Sequence, residues 1–372
     1  MMPIRSLGVR GYRSVQRMHL PLAQVNVIVG PNGCGKTNLY RSLYLLNMAA
    51  NGRLARVLAE EGGMPSCLWA GEVRKGTPKR IAIEVQFDAW RYQFACGLAD
   101  AGRSAFDLDP YVREEELQFL DGVRRATIFQ RRNRSCELRD DSGERVKFPF
   151  ELSDSESILS ELREPSRFPE LSELRAVLSG WRFYHQFRSD AESPLRRPQI
   201  GVRTPVLSHD GSDLAAALAT ILEIGDHEGL KAAVQSAFPG ASLLIQPSSG
   251  GIEVALILPQ FRREFSAREL SDGTIKYLCL LATLLSPRPP SLLALNEPDA
   301  NMHPQLFDPL ARMIGRAARD SQLWITTHSE LLAGLLREHA AAHIIRLEMI
   351  DGATVVSGAA SELEVEDDNG DD

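Results

Sequence analysis

Two stretches of this chain combine residue types and spacings suited to phosphate chemistry. Gly30-Pro31-Asn32-Gly33-Cys34-Gly35-Lys36-Thr37 matches G-x-x-x-x-G-K-[ST] at every fixed position. Glycines there let backbone N–H groups turn inward around a phosphate chain, and the N-terminus of a following helix adds a favourable dipole. In such a loop Lys36 reaches the β- and γ-phosphates of ATP and the Thr37 hydroxyl ligates Mg²⁺. Gly30, Asn32, Gly33, Cys34, Gly35, Lys36, Thr37 and the adjoining Asn38 are therefore the expected nucleotide contacts. Cys34 reads as a small residue that fits the loop. A thiol at a helix N-terminus is oxidisable, but nothing else nearby marks a redox site. The second stretch, Leu292-Leu293-Ala294-Leu295-Asn296-Glu297-Pro298-Asp299, is an apolar run ending in polar groups. It delivers Asn296 and Glu297 at a strand's C-terminal end, where open α/β sheets bind ligands, and places Glu297 to orient or deprotonate an attacking water.

Both stretches need elements to hold them. Residues 24–29 read as an apolar strand leading into the loop, and 37–50 as the helix after it. Residues 4–9 and 79–88 also read as strands, the latter with Ile81, Ile83, Val85 and Phe87 on one face. Residues 89–178 are mixed, with short helical stretches at 114–120 and 155–164 and an arginine-rich strand-like piece at 127–139. Residues 181–187 read as a strand and 193–205 as a proline-rich connector. Beyond it helices (213–224, 273–285, 304–319, 329–338) alternate with strands (242–246, 252–258, 291–295, 322–326, 342–348). The expectation is an α/β P-loop NTPase fold: a mixed or parallel sheet flanked by helices over residues 1–350, with an α+β insertion at about 89–180 and a helical lobe at about 205–290. A C-terminal strand and a disordered acidic tail are expected over 351–372.

Composition sets the outer limits. The 372 residues carry a net charge of −7, with 44% hydrophobic and 24% charged residues, ordinary for a soluble protein with a large core. No apolar run reaches the roughly 18 residues of a membrane span. Met1-Met2-Pro3-Ile4-Arg5 lacks a signal peptide's apolar stretch. The five cysteines are scattered without CxxC spacing, which argues against disulfides or zinc and fits a reducing cytoplasm. Residues 362–372 hold acidic but no basic side chains, and the remainder is about neutral. No heptads are sustained, so a long coiled coil is excluded.

Further motifs carry a family resemblance. Leu270-Ser271-Asp272-Gly273-Thr274 resembles the LSGGQ-type signature of ABC-class ATPases. Ala300-Asn301-Met302-His303-Pro304 resembles the segment after the catalytic strand of RecF/SMC-like ATPases, Thr326-Thr327-His328-Ser329 their switch-histidine motif, and Gly11-Tyr12-Arg13-Ser14 part of their first strand. These elements stand in the family's order across almost the whole chain, which is thus similar to AAA-type ATPases of the RecF/SMC/OLD group in the ABC superfamily.

The resemblance implies an ABC-type ATPase head that hydrolyses ATP with Mg²⁺ as a homodimer. Each ATP would lie between the phosphate loop of one chain and Ser271 and Gly273 of the other. Glu297, His328 and Lys36 form the implied catalytic set, with His328 on the γ-phosphate or the water, and Arg13 joins the nucleotide contacts. Thr37, Asn296 and a glutamine would hold the metal; Gln186 is one candidate for that glutamine and Gln86 another. The family's usual Asp before the catalytic Glu is Asn296 here, which can hold a metal-bound water through its carbonyl but adds no negative charge. Weaker Mg²⁺ binding or slow turnover is expected. Lys36 and Ser271 stand about 235 residues apart, far more than in transporter ATPases. The insertion is too short for an SMC arm, and no TOPRIM-like nuclease domain is expected after the ATPase.

Basic clusters at Arg124–Arg125, Arg131-Arg132-Asn133-Arg134 and Arg196–Arg197, with aromatics such as Phe129, suit a phosphate backbone or a solvated strand face. With the resemblance, the expected function is ATP-driven dimerisation that clamps DNA, in repair or in defence against foreign DNA. The alternative is a low-turnover ATP switch that recruits or gates an effector protein such as a nuclease.

Overall fold

The computed structural model describes residues 2–72, 79–98, 106–122, 124–148 and 151–358, so the acidic stretch 362–372 lies outside the described residues. At the centre is a six-stranded sheet in the order Arg182–Tyr184, Leu292–Asn296, Gln322–Thr327, Val25–Val29, His343–Ile350, Ala353–Val356. The first five strands run parallel and the last is antiparallel. A parallel sheet covered on both faces needs nearly continuous apolar strands. Accordingly Val25–Val29 and Gln322–Thr327 are buried at every residue. Alternate side chains feed two cores: Ile28, Ala294, Trp324 and Ile345 point into one, Val27, Leu295 and Ile325 into the other.

The first core also takes in helix Lys36–Ala50 and the inner face of an eight-stranded antiparallel sheet. That sheet runs Val15–Pro21, Ser6–Tyr12, Arg80–Gln86, Trp90–Leu98, Pro110–Asp121, Arg124–Arg132, Ser135–Arg139, Arg145–Lys147. The strands between residues 90 and 147 therefore extend the N-terminal sheet one by one. The second core is enclosed by helices Leu214–Ile224, His227–Ala237, Asp272–Leu284, Phe307–Ala317 and Glu330–Ala340. Within 205–290 there is also a three-stranded antiparallel sheet, Ser242–Ser248, Gly251–Ile257 and Glu264–Ser266.

One expected element changes type. Residues 114–120, rich in helix formers, lie in strand Pro110–Asp121. The reason is tertiary: Glu115 faces inward, fully buried, and accepts hydrogen bonds from Arg131 Nη1 (3.0 Å), Tyr92 Oη (3.0 Å) and Ile158 N (3.0 Å). Cross-strand partners override intrinsic helix propensity here. The helical stretch expected at 155–164 shortens to Ile158–Glu161. Among the described residues no helix is long and apolar enough to cross a membrane, and all five cysteines are free and buried.

Candidate functional site

Strand register assembles the site. Val29 pairs with Thr327, and Thr326 pairs with Asn296, so the chain leaves three adjacent parallel strands at one level. Gly30, His328 and Glu297 follow directly. Tyr184 pairs with Leu295, which brings His185 and Gln186 to the same edge. The sequence-expected loop, carboxylate, histidine and Gln186 therefore converge.

The loop is shaped by its glycines. Gly33 and Gly35 adopt φ of 82° and 99°, the left-handed region that favours glycine. A Cβ on Gly35 would stand 2.0 Å from Thr354 Oγ1 and 2.9 Å from Ser14 Oγ. Around Gly33 there is open space, so the loop faces outward there. Lys36, 5% exposed, donates to the Gly30 carbonyl at 2.7 Å and the Pro31 carbonyl at 3.0 Å. Cys34 is buried, packed under Gly30, which supports the small-residue reading over a redox one. Asn38 Nδ2 donates to Ser14 Oγ at 2.7 Å, and Ser14 Oγ contacts Thr354 Oγ1 at 2.7 Å. The N-terminal hairpin and the last strand thus brace the start of the helix.

Opposite the loop, Glu297 has φ of 46°. Its N–H donates to the Thr326 carbonyl at 2.9 Å. Its own carbonyl, and that of Ala300, accept hydrogen bonds from the buried Lys276 ammonium, each at 2.8 Å. Desolvation lowers the Lys276 pKa to about 8, against the opposing pull of Asp299 and Glu297. Asp299 is buried and accepts from Thr327 Oγ1 at 2.8 Å. Asn296 Oδ1 accepts from Thr326 Oγ1 at 2.7 Å, and its Nδ2 faces the His185 carbonyl at 3.4 Å. The carboxylate of Glu297, the His328 ring, the Gln186 amide and the Thr37 hydroxyl have no hydrogen-bond partner among the described residues. These are free polar groups at one edge of the parallel sheet, a mix of base, donors and oxygen ligands suited to a hydrolytic water, a phosphate chain and a hard cation.

Ser271 caps helix Asp272–Leu284, accepting from Thr274 N at 3.2 Å, and stands exposed. Gly273 packs against the segment after Glu297, where a Cβ would meet the Asn301 carbonyl at 3.0 Å. Arg196, 7% exposed, fastens this loop: it donates to the Ala267 carbonyl (2.9 Å), the Leu270 carbonyl (2.7 Å) and Asp272 Oδ1 (2.5 Å).

Several expected residues lie elsewhere. Gln86 pairs with Ser6, at the far end of the first strand from Ser14, so it is not the cleft glutamine. Arg13 is held by Glu61 at 2.7 Å, a buried carboxylate that also pairs with Arg41 of the loop helix, while its neighbour Ser14 bonds Asn38 directly. Of the basic clusters, Arg196 is committed to the signature loop. Arg131 is fully buried on Glu115, and Arg134 pairs with Asp154 and Glu151. Arg124, Arg125 and Arg132 remain exposed. Two cleft residues escaped sequence reasoning. Lys276 carried no motif signal beyond its place five residues after Ser271. His185 sits next to Gln186; burial and then Arg41 lower its pKa, while Glu297 pulls it up.

The family model described as "AAA domain, putative AbiEii toxin, Type IV TA system" matches residues 25–334. A DNA replication and repair protein RecF of Renibacterium salmoninarum is 31% identical over 161 residues, covering 41% of this chain and 36% of that protein, so the match spans about a third of the relative's length. Among solved structures, an SMC head bound to the C-terminal winged-helix domain of ScpA has a TM-score of 0.55 at 14% identity, covering 95% of this chain and 96% of its own. An Smc head with a coiled coil and joint from Pyrococcus yayanosii has a TM-score of 0.53 at 11% identity, covering 96% and 97%. These likenesses establish the P-loop head fold.

Proposed function

The chain belongs to this AAA-domain family, among ABC-type ATPases of the RecF/SMC group, and on that footing we propose that it hydrolyses ATP between two copies of itself and acts on DNA. The observation that carries the reading is the convergence of the phosphate loop, Glu297 and His328 at the ends of three adjacent parallel strands. Lys36 leaves the Gly30 and Pro31 carbonyls for the β- and γ-phosphates, and the backbone N–H groups of the loop and helix start cradle the chain. Glu297 orients and deprotonates the attacking water, and His328 contacts the γ-phosphate. Oxygens of Thr37, Asn296 and Gln186 suit Mg²⁺, a hard cation, which when bound neutralises phosphate charge. Ser271 and Gly273 of the second copy close the site at a helix N-terminus.

A second reading, a low-turnover switch that recruits an effector, is favoured by one observation. Asn296 stands where a carboxylate would add charge beside the metal, and its amide is tied to Thr326 and His185. A steady-state ATPase assay with and without duplex DNA tests both. DNA-stimulated turnover abolished by Lys36→Ala and Glu297→Gln is the expected result. Negligible turnover with intact ATP-dependent association moves the balance to the switch. Absence of ATP binding removes both.

A further inference from the structure

The outer face of the eight-stranded sheet departs from the charge of the rest of the molecule. One cross-strand row reads Arg17, Arg10, Ala82, Ala95, Glu114, Arg132. Beside it lie Lys79, Arg80, Arg113 and, on the floor, Gly97. A Cβ on Gly97 would stand 3.3 Å from Arg113 Nε and 3.6 Å from Arg80 Cβ, so these side chains lean over a glycine. Arg80 pairs with Glu114 at 3.0 Å and Arg91 with Glu84 at 2.6 Å. That leaves Arg10, Arg17, Lys79 and Arg132 with no ion-pair partner among the described residues, and all four are exposed. Arg113 donates only to the Leu98 carbonyl and stacks on Tyr111. Glu116 and Glu137, on a neighbouring row, also lie on this face, Glu116 held by Gln118 and Thr127. Burial, followed by the like charge of Arg17, depresses the Arg10 pKa. The chain's net −7 equals the charge of residues 362–372 and the remainder is about neutral, so the cations on this face are a local concentration.

We infer that this sheet face is a docking surface for duplex nucleic acid, its two cationic rims meeting the two phosphate backbones across a floor of Ala82, Ala95 and Gly97. The geometry favours a duplex over an acidic protein. Arg10 and Glu114 are three strands apart and Arg17 and Arg132 five, about 14 Å and 24 Å at sheet spacing. The cation-to-cation span, Arg17 to Arg132, is wide enough to reach across a B-form major groove about 12 Å wide to its two flanking backbones. The floor offers small residues and no large apolar anchor of the kind that centres protein interfaces. The inference rests on the proposed action on DNA and assigns it a surface that takes in Arg132 but not the committed Arg131, Arg134 and Arg196.

Fluorescence anisotropy with a labelled 30-bp duplex tests it, in full-length protein, from 50 to 200 mM salt. Arg10→Glu with Arg17→Glu, and separately Arg113→Glu with Arg132→Glu, are expected to lower affinity at least 30-fold. Each pair is expected to flatten the log–log salt slope by about 2, from roughly 0.9 per lost phosphate contact. Binding of a fluorescent ATP analogue and the thermal midpoint should match the parent; Arg→Gln versions of both pairs serve if a glutamate variant misfolds. Parent-like affinity and slope in both pairs, with the parent binding duplex, overturns the surface and leaves action on DNA standing. A parent that binds no duplex at 50 mM salt overturns both. Poly-glutamate displacing the duplex at equal charge concentration overturns the surface in favour of an acidic protein partner.

Discussion

Replacing Lys276 by Met isolates the link between the signature helix and the turn that presents Glu297. The ammonium makes two 2.8 Å hydrogen bonds, to the carbonyls of Glu297 and Ala300, from a side chain that is 9% exposed. Charge-assisted bonds contribute about 1.5–3 kcal/mol each. Against them stands the burial that lowers the pKa from 10.5 to about 8, a cost on the order of 3 kcal/mol. Two such bonds amount to about 3–6 kcal/mol, so the lysine contributes about 0–3 kcal/mol net and the thermal midpoint should fall only modestly. Glu297, at φ 46°, loses the group that pins its carbonyl. A shift of about 1 Å in a catalytic group costs on the order of 100-fold in rate. Lys276→Met should therefore lower kcat about 100-fold while ATP affinity stays within about twofold. The pH dependence gives a second signature. The lysine pKa is lower in the folded than in the unfolded chain, so its burial cost is fully present below about pH 8 and lifts between pH 8 and about 10.5. Over that window folded stability gains from this group while kcat falls, and Lys276→Arg should hold kcat to higher pH. An unchanged kcat in Lys276→Met, or a rate loss that merely tracks unfolding, refutes the reasoning.

Other substitutions probe the supports around the cleft. Gly35→Ala drives a Cβ into Thr354 Oγ1 at a backbone φ of 99°, and should abolish measurable ATP binding by calorimetry while lowering the thermal midpoint. Arg196→Ala removes the fastening of the signature loop and leaves Asp272 unpaired. Because the Ala267 and Leu270 carbonyls lose their buried donor while Asp272 is solvated, denaturant titration should register a loss of about 2 kcal/mol, and turnover should fall without loss of ATP binding to the single chain. Asn296→Asp replaces the amide that faces the His185 carbonyl by a second acceptor. Turnover should rise less than threefold, because about 1–3 kcal/mol of lost and repelled hydrogen bonding offsets tighter Mg²⁺ binding; a tenfold rise in an ATPase assay contradicts that balance.

How much of this was legible follows from how local each feature is. The phosphate loop is contiguous, and the strand before it and helix after it are read from adjacent residues. Glu297 and His328 were legible because each follows an apolar strand directly, and parallel register does the rest. Lys276 was not, because its meaning depends on a helix turning its inner face onto carbonyls that come 21 and 24 residues later. The basic clusters misled for a related reason. Adjacent arginines in a strand point to opposite faces, so Arg131 went to the core and Arg132 to solvent. The cations that do gather on the sheet come from several strands far apart in the chain, so the sequence does not show them together. Residues 114–120 looked helical because propensity is local and the Glu115–Arg131 pairing is not.

The central claim is that ATP joins two copies of this chain through the 30–37 loop of one and Ser271 of the other. Light scattering of Glu297→Gln, which should bind ATP without consuming it, tests this most directly. With ATP and Mg²⁺ the mass is predicted to double, and a further Ser271→Arg change is predicted to return it to the single-chain value with ATP still bound. A Glu297→Gln chain that binds ATP and keeps its single-chain mass contradicts the account.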